Sequence, residues 1–290
     1  MIARIAFLGT GLMGAPMVGR ILAAGLSVRI WNRSSEKMQP LIDLGAVAAV
    51  SPGDAVSDAQ LVCFCLTDGE AIAELLFGPA ELAETIPARA LILDFSTIGP
   101  KATRALASRL QVERSDIAWI DAPVSGGVRG AEMGELVVMC GGDEDAVASV
   151  RPVLSALAKR VCHLGPLGSG QAAKLCNQLI VSANIVAIAE ALVLGREQGL
   201  DISELPGALA GGWADSLPLQ IIGSRMAAGT FEPPVVSVGT YVKDLALVLD
   251  STVKVPQLAA IASEIYTAAA ADGQGVDVSS LIDRIGRGER

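Results

Sequence analysis

Residues 2–14 read Ile-Ala-Arg-Ile-Ala-Phe-Leu-Gly-Thr-Gly-Leu-Met-Gly, and this stretch determines the class of the fold. Its largely apolar first half predicts a short strand, and the amphipathic segment that continues to Gly25 predicts a helix. The glycines between them form the pattern G-x-G-x-x-G. Gly9 permits a tight turn, Gly11 lets a ligand approach the backbone, and Gly14 lets the helix pack against the strand.

A glycine loop between a strand and a helix is typical of domains that bind dinucleotides. The free N–H groups and the positive end of the helix that follows attract a pyrophosphate. We therefore predict dinucleotide binding here, with a purely structural turn as the alternative. The predicted contacts of this loop are Gly9, Gly11, Leu12, Met13 and Gly14.

The second predicted strand, residues 27–31, ends in Asn32-Arg33-Ser34. Domains of this type that bind NAD usually carry Asp or Glu here, which holds the 2′-hydroxyl of the adenosine ribose. No carboxylate is present, and an arginine between two small polar residues suits the 2′-phosphate of NADP instead. We predict that Asn32, Arg33 and Ser34 bind NADP(H), with NAD(H) as the alternative cofactor. The other interpretation of Arg33 is a solvated loop residue.

Strands and helices continue to alternate, with further strands predicted at residues 61–66, 90–95, 117–120, 136–140 and near Val161, and a helix from about 143 to 157. This alternation predicts a mostly parallel, doubly wound sheet of the Rossmann type. Such sheets bind ligands at the carboxyl ends of their strands. Three residues at such ends, Leu66, Thr67 and Thr97, are therefore predicted cofactor contacts.

The loop after the 117–120 strand reads Asp121-Ala-Pro-Val-Ser-Gly-Gly127. Ser125 supplies a hydroxyl group, and Gly126 and Gly127 expose backbone N–H groups, which together suit a carboxylate ligand. We predict substrate binding by these three residues, and a simple turn is the alternative.

A second glycine-rich stretch covers residues 165–177, Gly-Pro-Leu-Gly-Ser-Gly-Gln-Ala-Ala-Lys-Leu-Cys-Asn. A long helix is predicted from about residue 171 to 198, because the sequence there is rich in Ala, Leu, Ile and Val and lacks proline. Lys174 lies near the start of this helix, where the helix dipole disfavours a cation, and Asn177 shares its face. That placement indicates a chemical role, whereas a solvated surface lysine is the alternative.

No strand pattern follows the long helix, and helices are predicted near residues 203–210, 218–227, 240–250, 256–272 and 278–286. The sequence therefore predicts an all-α C-terminal domain, so that the chain has two domains, residues 1–164 and 165–290. Lys174 would lie at their junction, where substrate pockets commonly form.

Composition excludes several classes of function. The formal net charge of −9 argues against a nucleic-acid partner. Five cysteines without a C-x-x-C pair, and no signal peptide, predict a reduced cytoplasmic protein. A single histidine argues against a metal site. The apolar run 179–195 contains Asn184 and Glu190 and has no basic flanks, which favours a buried helix or a subunit interface over a bilayer span.

Taken together, the sequence resembles the β-hydroxyacid dehydrogenases, the family of 3-hydroxyisobutyrate dehydrogenase and tartronate semialdehyde reductase. The resemblance covers essentially the whole chain. It is carried by the 9–14 glycine loop, the 121–127 loop, the glycine–Lys174–Asn177 stretch and the pair Lys243-Asp244.

The resemblance implies NAD(P)-linked interconversion of a small 3-hydroxy acid and its aldehyde or ketone. It implies that Lys174 is the general acid and base, that Asn177 hydrogen-bonds the substrate, and that Ser125 and the two glycines after it bind the substrate carboxylate. It also implies that Thr97 and Lys243 lie near the nicotinamide ribose and the closed cofactor site. The family is usually dimeric or tetrameric, so a homodimer or homotetramer is expected.

Some positions depart from the family pattern and leave the substrate open. Val235 stands where an aromatic residue is frequent, the segment before Lys243 is one residue longer, and residues 251–256 form a short linker. Residues 211–216 are closer to the tartronate semialdehyde reductase branch. Two other functions stay open: an imine reductase, which usually lacks this lysine, and a non-catalytic cofactor-binding partner protein.

Overall fold

The computed structural model describes residues 2–288, which form two compact units, residues 2–174 and 175–288. One continuous helix, Ser169–Glu197, passes from the first unit into the second. The domain boundary predicted after residue 164 stays a prediction, because this helix runs through the junction.

The first unit contains a six-stranded sheet in which every pairing is parallel, in the order β3-β2-β1-β4-β5-β6. Its strands are β1 (Ile5–Leu8), β2 (Val28–Trp31), β3 (Val47–Ala48), β4 (Leu61–Phe64), β5 (Leu91–Asp94) and β6 (Ala118–Asp121). The order reverses between β1 and β4, which makes the carboxyl ends of these two strands the switch point where ligands bind in such sheets. The predicted doubly wound α/β fold is confirmed.

Helices cover both faces of this sheet. They are α1 (Gly14–Ala23), α2 (Gln39–Asp43), α3 (Pro52–Val56), α4 (Gly69–Phe77), α5 (Leu82–Thr85), α6 (Gly99–Glu113), α7 (Gly127–Met133), α8 (Glu144–Ser149) and α9 (Arg151–Leu157), with a 3-10 turn at Ser35–Met38. Successive side chains of a strand point to opposite faces of the sheet, so they pack in different hydrophobic cores. Phe7 packs with Ile21 of α1, whereas Leu8 belongs to the cluster that contains Ile72 of α4.

A separate three-stranded sheet corrects the sequence-based topology. It has the order β7-β8-β9, formed by β7 (Val124–Ser125), β8 (Leu136–Cys140) and β9 (Ala158–His163). We predicted that the 136–140 strand and the strand near Val161 continue the parallel sheet, but β8 pairs antiparallel with β7 and parallel with β9. The chain continues from β6 into β7 and reverses only at α7, so that β8 returns antiparallel to both: Asp121 forms an antiparallel bridge with Gly141, and Val124 pairs with Val138. A strand that returns in this direction cannot extend the parallel sheet.

The helix predicted at residues 143–157 is also wrong as a single element, because α8 ends at Ser149 and α9 starts at Arg151. Pro152 lies in the first turn of α9. Proline has no N–H group to donate and its ring excludes a preceding helical turn, so it favours the start of a new helix.

The second unit is helical, and residues 175–288 contain no strand. Its elements are α10 (Ser169–Glu197), α11 (Leu205–Ala208), α12 (Ser224–Ala228), α13 (Val238–Asp250), α14 (Gln257–Ala269) and α15 (Leu281–Gly286), with a π-helix at Leu219–Gly223 and 3-10 turns at Ala270–Asp272 and Val278–Ser280. Its core includes Leu192 of α10 and the stacked rings of Tyr241 and Tyr266, whose centroids are 5.0 Å apart. The all-α prediction for this part of the chain is confirmed.

By length and composition α10 could cross a membrane. This is weak evidence, because core helices of soluble proteins pass the same test. Ile185, Ala189 and Leu192 of α10 are buried in the core of the second unit.

Candidate functional site

The glycine loop after β1 has the geometry that its pattern predicts. Gly9 has φ of +101°, and a Cβ atom placed on it would collide with the backbone carbonyl of Cys65. A Cβ atom on Gly14 would collide with the carbonyl of Gly9. Packing within the protein therefore requires these two glycines.

Gly11 differs, because a Cβ atom added there would meet no atom within 4 Å. Its side of the loop faces open space, and the protein itself does not require glycine at this position. A phosphate group that approaches the backbone closely does require it. The loop therefore fits the pyrophosphate of a dinucleotide.

The loop after β2 is tied to the glycine loop by Asn32. Its side-chain oxygen accepts a hydrogen bond from the N–H of Thr10 at 3.1 Å, and its amide nitrogen donates to the carbonyl of Ser34 at 2.9 Å. Within residues 2–288 the exposed side chain of Arg33 makes no hydrogen bond or salt bridge, which leaves its guanidinium available to a ligand. Asn32 thus holds in place the segment that presents Arg33.

The loops after β4 and β5 are joined by Ser96, which is buried. The N–H of Leu66 donates to the Ser96 hydroxyl at 2.9 Å, and the N–H of Ser96 donates to Asp94 Oδ1 at 2.9 Å. Thr67 is exposed and its hydroxyl donates to Asp68, whereas Thr97 is half-buried. Leu66 and Thr97, both predicted cofactor contacts, therefore lie on linked loops.

The start of α10 is bound to the same edge of the sheet. Asp121, the last residue of β6, accepts hydrogen bonds from the N–H groups of Gly168 and Gln171, both at 2.7 Å. The Gln171 side chain accepts from the N–H groups of Ile98 and Gly99 at 3.2 and 3.0 Å, and its amide nitrogen donates to the Ser96 carbonyl at 2.7 Å.

The carboxyl groups at the ends of β5 and β6 are fully buried. Asp94 and Asp121 are paired in register on β5 and β6, and both are 0% exposed. Burial raises the pKa of Asp94 to about 7, although hydrogen bonds from Ser96 lower it in part. Burial also raises the pKa of Asp121, while its two backbone donors and the positive charge of Arg104 act in the opposite direction.

Lys174 lies in the second turn of α10, and only 9% of its surface is exposed. A lysine is seldom buried to this extent unless it is paired or used. The alternative that Lys174 is a solvated surface residue is therefore wrong. Its catalytic role stays a prediction at this point.

Within the second unit, Asn177 and Lys243 are joined by a buried network. Asn177 donates to the side-chain oxygen of Gln178 at 2.8 Å, and Gln178 donates to Asp244 Oδ2 at 2.6 Å. Lys243 forms a salt bridge with the other oxygen of Asp244 at 2.9 Å. Two residues that the family resemblance singles out are thus connected through Gln178 and Asp244.

The 125–127 segment follows the short strand β7. Gly126 and Gly127 have φ of +126° and +63°, which favours glycine at both positions. Both are exposed, Ser125 is half-buried, and a Cβ atom on Gly127 would meet no atom within 4 Å. The segment therefore leaves room for a small ligand beside its backbone.

Sequence reasoning assigned no role to the buried polar residues that form these hydrogen bonds. They are Asp94, Ser96, Asp121, Gln171, Gln178 and Asp244. The available signal was an aspartate at the end of an apolar strand, as in both Asp94 and Asp121.

Among residues 2–288, no group of three or more His, Cys, Asp or Glu side chains could hold a metal ion.

Two family models together match most of the chain. Residues 4–165 match the NAD binding domain of 6-phosphogluconate dehydrogenase, and residues 168–285 match the model described as NAD-binding of NADP-dependent 3-hydroxyisobutyrate dehydrogenase. Among curated proteins, 2-hydroxy-3-oxopropionate reductase of Escherichia coli K12 is 32% identical, with 97% of each chain covered. The 3-hydroxyisobutyrate dehydrogenase of Pseudomonas aeruginosa is 33% identical, with 96% of each covered.

Solved structures show the same similarity. The 3-hydroxyisobutyrate dehydrogenase of Mycobacterium tuberculosis with L-serine has a TM-score of 0.88 and 32% identity, covering 98% of this chain and 99% of its own. Psf3 in complex with NADP+ and 2-OPP has a TM-score of 0.89 and 26% identity, covering 97% and 99%.

The buried carboxyl group of Asp94 predicts a pH-dependent component of stability. Its pKa rises from 3.8 to about 7 on folding, so the folded state binds this proton more tightly than the unfolded state does. Through this group, the free energy of unfolding falls as the pH rises from about 4 to about 7 and stays low above that. Asp94→Asn should remove this fall, which we expect to be roughly 1–4 kcal/mol.

Urea unfolding at pH 5 and pH 8 measures the effect as the difference between the wild type and the variant. The exposed Asp145, in the first turn of α8, provides the matched control. Asp145→Asn should keep the wild-type pH dependence. An Asp94→Asn variant with the same pH dependence as the wild type would contradict the prediction.

Proposed function

The chain belongs to the β-hydroxyacid dehydrogenase family, and on this basis we propose that it interconverts a small 3-hydroxy acid and its semialdehyde or keto acid. The proposal is carried by one observation: a buried lysine stands in the second turn of a helix whose start is hydrogen-bonded to the carboxyl edge of the sheet. The 2-hydroxy-3-oxopropionate reductase and the two 3-hydroxyisobutyrate dehydrogenases described above are named for short hydroxy acids or their oxidised forms, which supports this substrate class.

We assign binding of the cofactor to the loops after β1 and β2. The glycine loop offers backbone N–H groups and the N-terminus of α1 to the pyrophosphate. Arg33 offers a planar guanidinium to the 2′-phosphate of the adenosine ribose. When bound, NADP(H) supplies or accepts the hydride at the substrate carbon.

Lys174 moves the proton in this proposal. During oxidation its Nζ accepts the hydroxyl proton as the carbonyl forms, and during reduction it returns a proton to that oxygen. The hydroxyl of Ser125 and the backbone of Gly126 and Gly127 bind the substrate carboxylate, and Asn177 orients the substrate by a hydrogen bond.

Two other functions remain as alternatives. An imine reductase would share this architecture but usually lacks the lysine at position 174, and a non-catalytic partner protein would not need it. Retention and burial of Lys174 favour the hydroxyacid dehydrogenase. Turnover with a panel of hydroxy acids and semialdehydes separates the three functions.

Replacing Lys174 by alanine tests the assigned chemistry. Lys174→Ala should reduce kcat by roughly 10²–10⁴-fold, which is the usual contribution of acid–base catalysis, while the Kd for NADPH stays near the wild-type value. Steady-state kinetics and cofactor fluorescence provide the two measurements. Lys159, an exposed lysine on β9, is the matched control, and Lys159→Ala should leave both unchanged. Parallel loss of activity and cofactor binding in Lys174→Ala would refute the role in proton transfer.

Arg33 should determine the choice of cofactor. A hydrogen bond to a charged group contributes about 1.5–3 kcal/mol, so we expect NADPH to be preferred over NADH by roughly 10- to 150-fold. Arg33→Ala should abolish most of this preference and leave kcat/KM for NADH nearly unchanged. Arg33→Lys keeps the charge but loses the bidentate geometry, so its preference should be intermediate. Equal losses for NADPH and NADH would show that Arg33 does not recognise the 2′-phosphate.

We also propose that the chain forms a homodimer or homotetramer through α10. Ile180 and Leu194 of this helix are 67% and 58% exposed, and Ala187 and Ala191 are exposed as well. These four residues are separated by seven, four and three positions, which places them on one face of α10, as in helices that pack against each other. Sedimentation equilibrium at micromolar concentration should show an oligomer that the double substitution Ile180→Glu and Leu194→Glu dissociates. A well-folded wild-type monomer would rule this proposal out.

A further inference from the structure

We propose that Asp121 and Gln171 are positioning residues of this reaction, which fix the first turn of α10 to the carboxyl ends of β5 and β6 and thereby set the position of Lys174. The inference rests on the proposed function, because it assigns these residues a role that acts through Lys174. Neither residue has to touch the substrate for this role.

Asp121 holds the backbone at the start of the helix. Helix N-termini have N–H groups without intrahelical partners, and here the N–H groups of Gly168 and Gln171 each donate to one carboxylate oxygen at 2.7 Å. Because Asp121 is 0% exposed, water cannot replace these bonds if the carboxylate is removed. The first turn of α10 therefore has one favourable position relative to β6.

Gln171 provides a second attachment in another direction. Its side chain is 0% exposed and makes three hydrogen bonds to the segment between β5 and α6, to the backbone of Ser96, Ile98 and Gly99. This segment contains Thr97, a predicted cofactor contact. One side chain thus links the helix of Lys174 to the loop of Thr97.

Two glycines show how closely the helix start approaches the sheet. A Cβ atom on Gly141 would lie 2.5 Å from Asp121 Oδ1 and 2.8 Å from the backbone nitrogens of Ser169 and Gly170. A Cβ atom on Gly170 would collide with the carbonyl of Met139. The start of α10 therefore has no space in which to move closer to the ends of β6 and β8. Its hydrogen bonds to Asp121 oppose a movement away from them.

Lys174 lies three residues after Gln171, or about one helical turn, so a displaced first turn displaces Nζ with it. A misplacement of about 1 Å is enough to cost roughly 10²-fold in rate. A mere helix cap would have no such effect on catalysis. Asp143 supplies that comparison, because it caps α8 by accepting from the N–H of Ala146 at 2.9 Å but carries none of the proposed site residues.

The test measures kcat, KM, the Kd for NADPH and the melting temperature of three variants. Asp121→Asn keeps one acceptor, and places an amide group against the second N–H. Gln171→Met keeps the shape, removes three hydrogen bonds and changes no charge. We expect each to lower kcat by roughly 10- to 100-fold, with KM and Kd changed less than about threefold. Asp143→Ala, which removes the cap of α8, should lower the melting temperature without changing kcat.

A double-mutant cycle distinguishes positioning from general structural damage. If Asp121 and Gln171 act through Lys174, then Asp121→Asn or Gln171→Met in a Lys174→Ala background should lower the residual kcat less than about threefold, because the residue they position is absent. A full additional loss in that background would overturn the proposal. An unchanged kcat in Gln171→Met would overturn it as well, and would assign the effect of Asp121 to its charge.

Hydrogen exchange of the wild-type holoenzyme tests the attachment without relying on activity. We expect the amides of Gly168 and Gln171 to exchange at least about 100-fold more slowly than exposed amides, and exchange at the unprotected rate would refute the attachment. Because this result does not depend on the substrate, it separates the two proposals. An inactive wild type with protected amides would refute the proposed function alone.

Discussion

A carboxylate without access to water must find its hydrogen-bond donors within the protein, and Asp121 finds them at the start of α10. This constraint works in both directions. The buried charge needs the two N–H groups, and those N–H groups have no other acceptor within their helix. The end of β6 and the start of α10 are therefore joined at one defined geometry, and the positions of Gln171 and Lys174 follow from it.

The same contact changes the electrostatic argument for Lys174. From the sequence alone, the positive end of the helix dipole is the reason to regard a lysine there as unusual. In the structure, two N–H groups at that end are paired with a carboxylate, which offsets much of its positive potential. Burial is then the stronger argument, because a lysine that is 9% exposed is rare whatever its distance from a helix terminus.

The predictable parts of the structure were those with local signals. Glycines at positions 9, 11 and 14 between a strand and a helix specify the first unit. Packing within the protein requires glycine at positions 9 and 14, and the close approach of a phosphate requires it at position 11. The β7–β9 sheet was missed because a short apolar run does not reveal whether it will pair in a parallel or antiparallel direction. Pro152 is a local signal for the start of α9, because proline favours the first turn of a helix. The buried polar network was beyond local reasoning, since Asp121 and Gln171 bond to groups 47 to 75 residues away.

Two attachments of this kind act on one face of α10. In the first unit, Gln171 is held through its backbone by Asp121 and through its side chain by Ser96. In the second unit, Gln178 donates to the buried Asp244 at 2.6 Å. The two glutamines are seven residues apart, so they lie on the same face, and Lys174 is between them at the i+3 and i−4 positions. Lys174 therefore shares its helix face with two glutamines that are both buried and hydrogen-bonded.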